Sequence, residues 1–393
     1  MVGWELPPLN SGGLGEACYG LSKALSKKGV TINFVLPYNV GIDCDFMNIL
    51  YANTSLNPKK VINPYLTYTQ WLKAIKNGSV SLFDYLSQVM EYADNIKDIA
   101  RSVKADLIHM HDWLTYPAGV TAQEYLTCPL VAHVHATEFD RTGGRFLNDA
   151  VFNIEKFGLD QADKVLPVGG IVKRTLIEKY DIDPAKIDVI YNGVEDASKP
   201  KLDPALINLK KLGYKVVLFL GRITLQKGPD YFVKAAKIVA KYHPKTVFVV
   251  TGSGDMQSQM ISEAANLGVI DKFLFTGFLR GSERDSVYQA ADVYVMPSIS
   301  EPFGITALEA VKNRTPVIVS KQSGVSEVLR SALKVDYWDT EELANKIIAV
   351  LKYKSLPKDL RKESVKEIVN LTWDHSADEV LRVYNSVLEN HAL

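Results

Sequence analysis

The sequence predicts an α/β protein built from two doubly wound, parallel-sheet domains that face a cleft. Strand-like runs alternate with helix-like segments through most of the 393 residues, an order typical of parallel α/β architecture. Most strand candidates are unbroken runs of Val, Ile, Leu and Phe, as expected for strands covered on both faces. A chain of this length is too long for one ordinary core, so we expect two domains.

The strand candidates fall into two groups along the chain. The first group is residues 31–37, 106–111, 130–135, 164–168 and 187–191. The second group is residues 216–221, 246–251, 272–276, 292–297 and 316–320. Helices are predicted between the strands, and residues 230–242 have the clearest helical spacing of apolar side chains.

A polar segment with two prolines, residues 195–204, separates the two strand-rich halves, and we interpret it as an interdomain linker. The predicted domains are residues 1–195 and residues 205–371. Residues 372–393 have helical spacing and are expected to pack back toward the first domain. The apolar side of this last helix carries Val380, Val383, Tyr384 and Val387.

The first five residues resemble the end of a strand whose beginning is absent, because a buried parallel strand usually runs about five to six residues. Either this strand is unusually short or the natural protein begins a few residues upstream of Met1, and we favour the second interpretation.

Composition narrows the class of protein. Lys plus Arg equals Asp plus Glu at 45 each, so no overall basic charge favours a nucleic-acid partner. Cys18, Cys44 and Cys128 form no C-x-x-C pair, which disfavours disulfides and a structural zinc site and fits a reducing cytoplasm. No apolar run approaches the length of a membrane span.

The segment 300–310, SEPFGITALEA, follows an apolar run and precedes strong helix formers. Gly304 therefore lies at a strand-to-helix turn, where N–H groups and the helix dipole favour an anion. Glu301 lies before the helix and Glu309 about one to two turns into it. A turn of this kind can hold a phosphate on its backbone while the acids reach hydroxyls, which suits a phosphorylated sugar donor.

The glycine-rich segment 11–16, SGGLGE, precedes a predicted helix at residues 14–27. Gly12 and Gly13 would let the backbone approach an anion, but a plain glycine-rich turn is an equally good interpretation. The spacing is not G-x-G-x-x-G, so nicotinamide binding is disfavoured.

The segment 221–228, GRITLQKG, closes the first strand of the second half. Arg222 and Lys227 are spaced so that both can converge on one diphosphate. The alternative is two solvated surface cations. The segment is not a Walker A loop, so ATP hydrolysis is disfavoured.

Four histidines lie near the ends of two predicted strands: His109 with His111, and His133 with His135. Strand alternation puts each pair on one face, so a metal site is one interpretation. We favour structural roles, with backbone hydrogen bonds, for His109 and His133. His111 and His135 are better placed to reach the cleft, and no metal site is predicted.

Three further strand ends carry candidate binding groups. Asp112 and Trp113 place an acid beside an indole, which fits either a platform for a sugar ring or a buried tryptophan. The turns at Gly252 and at 277–278, with Phe278, would border the base and phosphates of a bound nucleotide.

Taken together, these motifs resemble the retaining glycosyltransferases of the two-Rossmann (GT-B) type, the superfamily that includes glycogen and starch synthases. The resemblance covers essentially the entire chain. It is carried by E-P-F-G-I-T-A-L-E at 301–309, G-R-x-x-x-x-K-G at 221–228, G-G-L-G at 12–15, H-D-W at 111–113 and H-A-T-E-F-D at 135–140.

The resemblance implies a division of roles around a nucleoside-diphosphate sugar. Arg222 and Lys227 would neutralise the diphosphate and leaving group, while Glu309 binds the ribose and Glu301 the transferred sugar. The remaining donor-binding residues would be Gly12, Gly13, Gly252, Phe278, Phe303, Gly304, Ile305 and Thr306.

The same resemblance gives residues of the first domain two roles, one at the transferred sugar and one at the acceptor. His135 would contact the sugar near its 6-hydroxyl and the reacting centre, and Asp112 and Trp113 would lie on the acceptor side. Catalysis would rest on leaving-group stabilisation and positioning, with Arg and Lys in place of a metal cofactor. The role of residues 41–80, either a capping loop or part of the acceptor surface, stays open.

One residue departs from the pattern. Bacterial glycogen synthases of this kind usually carry a lysine two residues before the glycine pair, where this chain has Asn10. The departure weakens an assignment to α-glucan elongation without affecting glycosyl transfer.

We therefore predict a cytoplasmic, retaining hexosyltransferase that uses ADP- or UDP-glucose, with an α-1,4-glucan as the favoured acceptor. Sucrose phosphate, trehalose, lipid-linked and surface-polysaccharide synthesis are alternatives within this class. A GT-B epimerase, a phosphorylase and a non-catalytic sugar-nucleotide-binding protein are the alternatives outside it. The sequence does not specify an oligomeric state.

Overall fold

The computed structural model of the protein describes residues 1–8, 12–39, 41–53, 82–144, 147–195, 197 and 202–391. The chain divides into two compact units. The first unit is Met1–Gly193 together with Thr372–Leu393, and the second is Val194–Leu371. Most of the predicted insertion at 41–80, and much of the predicted linker, lie outside the described residues.

The first unit contains a parallel sheet and surrounding helices. Its strands are β1 Asn33–Leu36, β2 Asn48–Tyr51, β3 Ile108–His111, β4 Leu130–Val134 and β5 Lys164–Pro167. Its helices are α1 Gly13–Lys27, α2 Leu82–Ser102, α3 Tyr116–Leu126, α4 Glu138–Thr142, α5 Asp149–Gln161, α6 Gly170–Tyr180 and the C-terminal helix Trp373–His391.

The N-terminal segment joins the two parts of the first sheet. β1 pairs with β2, and β3 pairs with β4 and then β5, all in parallel. Val2 bridges Val35 of β1 and Met110 of β3, and its N–H donates to His109 O at 2.8 Å. The expected first strand is therefore present as a single bridged residue that connects two ladders.

The strand expected at 187–191 is reduced to one bridge, between Ile187 and Val165. The Ile190 N–H still donates to Pro167 O at 3.0 Å. Pro167 has no N–H to complete the next parallel pair. The ladder stops there, although the segment runs along the sheet edge as predicted.

The second unit contains a larger parallel sheet. Its strands are β6 Lys215–Leu220, β7 Thr246–Thr251, β8 Phe273–Gly277, β9 Val293–Met296, β10 Val317–Ser320 and β11 Leu333–Val335. Its helices are α7 Pro204–Lys211, α8 Pro229–Tyr242, α9 Gln257–Asn266, α10 Gly281–Ala290, α11 Ile305–Lys312, α12 Val325–Val328, α13 Thr340–Lys352 and α14 Leu356–Glu367. The strand order is β11-β10-β9-β6-β7-β8.

Burial follows the expected pattern in the second sheet. The continuous apolar runs of β6 and β7 are buried along almost their full length, because helices lie on both faces. The predicted helix at 230–242 is α8, which buries Phe232, Val233 and Val239 in this core. Among the helices in the described ranges, none combines the length and apolarity needed to cross a membrane.

The C-terminal helix follows the second unit in sequence but packs in the core of the first. The four apolar side chains predicted for one side of this helix are all buried there: Val380, Val383, Tyr384 and Val387. The first turn of this helix packs closely against two glycines of the first unit. A Cβ added to Gly20 would lie 2.4 Å from Trp373, and one added to Gly193 would lie 2.1 Å from the Trp373 backbone nitrogen.

Replacing Gly193 with alanine should therefore destabilise the first unit. The added methyl meets backbone, which cannot swing aside, so we expect a loss of about 1–3 kcal/mol in the free energy of unfolding. Chemical denaturation measures the loss. Gly13→Ala is the matched control, since its methyl meets nothing within 4 Å. Equal stability of the Gly193→Ala variant and the wild type would contradict the close packing.

Candidate functional site

The loop between β9 and α11 holds Glu301 in a fixed position within the second unit. Its backbone N–H donates to Gln322 O at 3.0 Å, and its carbonyl accepts from Gly324 N at 2.8 Å. Its side chain is 10% exposed and accepts from Lys227 Nζ at 2.5 Å and from Ser298 Oγ at 3.2 Å. The two predicted site residues Glu301 and Lys227 are therefore in direct contact.

Gly304 makes the turn from this loop into α11. Its φ is +112°, a conformation that favours glycine, and an added Cβ would approach Met296 and Val325 to 3.0 and 3.1 Å. The helix begins at Ile305 without a side-chain cap from the described residues. An N-terminus of this kind favours an anion. Phe303, just before the turn, is buried and its carbonyl accepts from Val325 N at 2.6 Å.

Arg222 and Lys227 lie on the loop that follows β6. Residues Leu225–Lys227 form one turn of 3-10 helix there. Arg222 Nη2 donates to Gln226 Oε1 at 3.3 Å, whereas Lys227 reaches the loop after β9 and pairs with Glu301. Both cations are thus held by contacts with other side chains. Their joint action on one diphosphate stays a prediction.

The glycine turns after β6, β7 and β8 are neighbours. Gly221 N donates to Thr251 O at 3.0 Å, and Gly252 N donates to Gly277 O at 2.8 Å. Phe278 follows directly, is 54% exposed, and has the Arg280 guanidinium 4.9 Å from its ring centroid. The ends of three adjacent strands therefore lie side by side, and nucleotide binding by these turns stays a prediction.

Glu309 has two partners that the sequence analysis missed. Arg284 Nη1 lies 2.7 Å from Glu309 Oε1, and the Tyr288 hydroxyl donates to Oε2 at 3.0 Å. Both partners lie on α10, four residues apart and so on one helical face. Burial first, and then the carboxylate of Glu309, raise the pKa of Tyr288 well above its usual value, so the hydroxyl keeps its proton. On α11 itself, the Thr306 hydroxyl lies 2.9 Å from Tyr294 Oη.

In the first unit, Gly12 and Gly13 lie at the start of α1, with Gly12 in the N-cap position. The buried Glu5 carboxylate accepts from Gly15 N at 3.3 Å, so an acid already interacts with this helix N-terminus. Sequence reasoning missed Glu5. Asn10, whose identity departs from the glycogen synthase pattern, lies outside the described residues.

The four histidines form one stacked cluster in the first unit. His109 and His111 have ring centroids 4.4 Å apart, as do His133 and His135. His109 Nε2 lies 3.2 Å from His133 Nδ1, and His111 Nδ1 lies 3.1 Å from His135 Nε2. His109 Nδ1 also lies 2.5 Å from the Tyr384 hydroxyl of the C-terminal helix. His109 and His133 thus bond to side chains, where backbone partners were expected.

Burial makes this cluster neutral. Loss of solvation lowers the pKa of every one of these imidazoles, that of His133 to about 3. The Nε2 atoms of His111 and His133 are buried without a hydrogen-bond partner among the described residues. An unpaired buried polar atom costs about 1–3 kcal/mol. His111 is fully buried, and His135, at 9%, is the most exposed of the four.

Asp112 anchors the backbone beside His135. Its φ is +62°, and its Oδ1 accepts from His135 N at 2.6 Å and from Ala136 N at 3.3 Å. Trp113 is buried, and the Arg141 guanidinium lies 5.9 Å from its ring. The buried-tryptophan interpretation describes this arrangement, and the acceptor role of both residues stays a prediction.

A buried ion network supports the segment after His135. Arg141 pairs with Glu138 and Glu155, Tyr180 donates to Glu155, and Arg141 Nη1 donates to Ala136 O at 3.0 Å. Thr137 caps α4 through the Asp140 backbone N–H. Sequence reasoning missed Glu155 and Tyr180, because neither belongs to a recognisable motif.

Two family models match consecutive parts of the chain. The model described as Glycosyltransferase Family 4 matches residues 11–198. The model described as Glycosyl transferases group 1 matches residues 206–367.

Three curated relatives are similar along most of their length. An uncharacterized glycosyltransferase of Methanocaldococcus jannaschii is 29% identical, covering 99% of this chain and 98% of the relative. A glycogen synthase of Mycobacterium tuberculosis is 26% identical over 84% of this chain and 79% of its own. A D-inositol 3-phosphate glycosyltransferase of Salinispora arenicola is 30% identical over 72% of this chain and 69% of its own.

Solved structures share the fold. Sucrose-phosphate synthase of Thermosynechococcus elongatus superposes with a TM-score of 0.80 at 19% identity, covering 99% of both chains. Anabaena HepE, in complex with UDP and glucose, gives a TM-score of 0.73 at 17% identity, covering 98% of this chain and 99% of its own. The predicted α/β class with two Rossmann-like, parallel-sheet domains is confirmed.

The pH dependence of stability tests the Asp112 anchor. Burial raises the pKa of this carboxyl from 3.8 to about 7, despite the opposing effect of Arg141. Between those values the folded state holds a proton that the unfolded state has lost. The stabilisation by Asp112 is complete below pH 3.8 and is lost as pH rises through about 7.

We expect the free energy of unfolding of the Asp112→Asn variant not to show this fall with rising pH. The free energy of unfolding of the wild type should fall, relative to the variant, by up to about 1.4 kcal/mol per pH unit as pH rises from 4 to 7. Denaturation at several pH values measures the difference. The exposed Asp43→Asn variant is the control. A constant difference across this range would contradict the assignment.

Proposed function

Because the chain belongs to the glycosyltransferase group 1 superfamily of the GT-B type, we propose that it is a retaining hexosyltransferase. The proposed donor is ADP- or UDP-glucose, and the proposed acceptor is a saccharide, with an α-1,4-glucan favoured. The observation that carries the proposal is the Lys227–Glu301 pair at the start of α11. It joins a cation suited to phosphate and an acid suited to sugar hydroxyls.

Lys227 and Arg222 are proposed to neutralise the diphosphate of the donor. A lysine ammonium has three donors, so Lys227 can keep its bond to Glu301 and still donate to a phosphate oxygen. The α11 N-terminus adds backbone N–H groups to the same charge. As the bond to the sugar breaks, negative charge grows on the leaving diphosphate, and this fixed positive charge stabilises it.

Glu301 is proposed to bind the transferred sugar, together with the backbone from Phe303 to Ile305. Its backbone is held on both sides by the loop after β10, so the carboxylate has a defined position. Glu309, farther along α11, is proposed to bind the ribose. A carboxylate has about four acceptor sites, so its bonds to Arg284 and Tyr288 are compatible with a ribose hydroxyl as a further donor.

His135 is proposed to contact the transferred sugar near its 6-hydroxyl. Burial lowers the pKa of His135 well below its usual value, so the ring is neutral. A neutral imidazole donates and accepts one hydrogen bond each, which suits a hydroxyl. Catalysis is then positioning and leaving-group stabilisation, and it involves neither a covalent nucleophile nor a metal cofactor.

The α-glucan acceptor is supported by the glycogen synthase relative, which matches 84% of this chain. A relative named for inositol phosphate keeps that acceptor as an alternative, and a structural neighbour named for sucrose-phosphate synthesis keeps that reaction as another. The three cysteines are unpaired thiols, which supports the cytoplasm as the compartment.

A panel of donors and acceptors tests the proposed function. We expect release of nucleoside diphosphate from ADP- or UDP-glucose, faster with an α-1,4-glucan than with monosaccharide acceptors. Nuclear magnetic resonance of the product should show retained anomeric configuration. Faster turnover with an inositol or hexose phosphate would replace the proposed acceptor. Binding without turnover across the panel would favour a sugar-nucleotide-binding protein.

Removing one cation should impair the chemical step. Lys227→Met and Arg222→Met should each lower kcat/KM by about 10²–10³-fold, because each removes charge from the leaving group. The matched control is Lys321→Met, which breaks a more exposed ion pair of the same unit. Its kcat/KM should stay within about two-fold of the wild-type value.

The lysine variant also leaves the Glu301 carboxylate without its cation. The double variant Lys227→Met with Glu301→Gln separates this effect, since it removes the unpaired charge and should fold normally. Full activity in a folded Lys227→Met variant would exclude the proposed role.

A further inference from the structure

A second group of chemically suited side chains lies in the first unit. Cys18, His111 and His135 each offer one atom to a metal ion, and these three atoms all lie within 4.8 Å of one another. Cys18 is on α1, His111 ends β3, and His135 directly follows β4. Three separate elements therefore converge on one point.

Two observations distinguish this group from a chance contact. Cys18 and His111 are fully buried and His135 is 9% exposed, so their polar atoms have little access to water. The Nε2 atom of His111 is buried and has no hydrogen-bond partner among the residues that the structure describes. His111 thus keeps in the core a ring nitrogen that can bind a metal ion and that forms no hydrogen bond with a described residue.

We propose that Cys18, His111 and His135 bind one borderline divalent transition-metal ion of the Zn²⁺ type and that this ion inhibits the enzyme. One thiolate and two imidazoles are ligands that this class of ion prefers over Mg²⁺ or Ca²⁺. On binding, the thiol proton leaves to solvent and sulfur bonds to the ion. Three protein ligands leave the fourth tetrahedral position to water.

The geometry requires a small movement. Bonds of about 2.0–2.3 Å to a tetrahedral ion place neighbouring ligand atoms about 3.3–3.7 Å apart. The His111 Nδ1–His135 Nε2 hydrogen bond, 3.1 Å long, has to break so that one nitrogen of each ring can bind the ion. All three ligand atoms lie within 4.8 Å of one another, so no pair has to approach by more than about 1.5 Å. The stacked neighbours His109 and His133 keep both ligand rings in place.

The inhibitory effect rests on the proposed function, in which His135 contacts the donor sugar. An ion on His135 occupies one ring nitrogen and leaves the other as a donor only, so the ring can no longer accept a hydrogen bond from the sugar hydroxyl. The ion is therefore a regulator of transfer and is distinct from any cofactor.

Co²⁺ tests the site directly, because its spectrum reports both ligand type and geometry. The full-length chain, stripped with a chelator and dialysed, is titrated with Co²⁺. We expect one equivalent to give tetrahedral d–d bands and a thiolate-to-cobalt charge-transfer band, and Zn²⁺ to abolish both. Cys18→Ala should remove the charge-transfer band and weaken binding by at least about 100-fold.

Matched controls come from the same chain. Cys128→Ala, at another buried cysteine, and His243→Gln, at a histidine of the second unit, should keep the wild-type spectrum. His135→Ala changes the least buried ligand, so it reports on the site even if Cys18→Ala fails to fold. An unchanged spectrum in either ligand variant, or only weak octahedral binding, would overturn the site.

Activity separates the two parts of the proposal. Zn²⁺ should inhibit the wild type at the concentration that displaces Co²⁺, and the ratio of activity with and without Zn²⁺ should approach one in Cys18→Ala. Stoichiometric binding without inhibition would overturn the regulatory role. If no donor is turned over, the proposed function fails, while the cobalt spectrum still decides the metal site.

Discussion

Parallel pairing is the constraint on which the remaining structure depends. Every strand pair in the described ranges is parallel. Within each sheet, the carboxyl ends of the strands therefore meet at one edge. The loops with Arg222, Lys227 and Glu301 meet for this reason, and so do the ends of β3 and β4 that carry the histidines. Each cluster joins segments that are far apart in sequence.

The two clusters use opposite electrostatics. In the second unit, a partly buried ammonium and carboxylate hold each other, and the loop of the carboxylate leads into the N-terminus of α11, which favours an anion. In the first unit, burial keeps four imidazoles neutral, and their contacts are stacking and ring hydrogen bonds. The cluster of the second unit therefore suits a charged group, and the cluster of the first unit suits uncharged groups.

Sequence patterns predicted the long apolar strands well, since β6 and β7 are continuous buried runs. They did not predict β2 and β11, which lie at sheet edges and are only partly buried. A strand that is not covered on both faces lacks the continuous apolar run by which the other strands were predicted. The strand predicted at 187–191 is shorter than expected because Pro167 of the neighbouring strand has no N–H to donate. The segment itself stays extended.

Motifs pointed to the candidate site residues but gave no sign of their supporting partners. Glu309 was singled out from its spacing to Glu301, whereas Arg284 and Tyr288 lie on a helix that carries no recognisable motif. The contact of His109 with Tyr384 spans 275 residues, so no local pattern encodes it. Long-range contacts of this kind follow from the tertiary packing of elements, which sequence periodicity does not specify.

The return of the C-terminal helix to the first unit has a consequence for synthesis on the ribosome. Domains usually complete folding in the order in which they emerge. Here the second unit is one continuous segment, Val194–Leu371, and its sheet is fully encoded before the last helix leaves the exit tunnel. The first unit emerges earlier but lacks Val380, Val383 and Tyr384 until the C-terminal helix has been synthesised. The first unit therefore completes its core after the second unit, although its own strands are synthesised first.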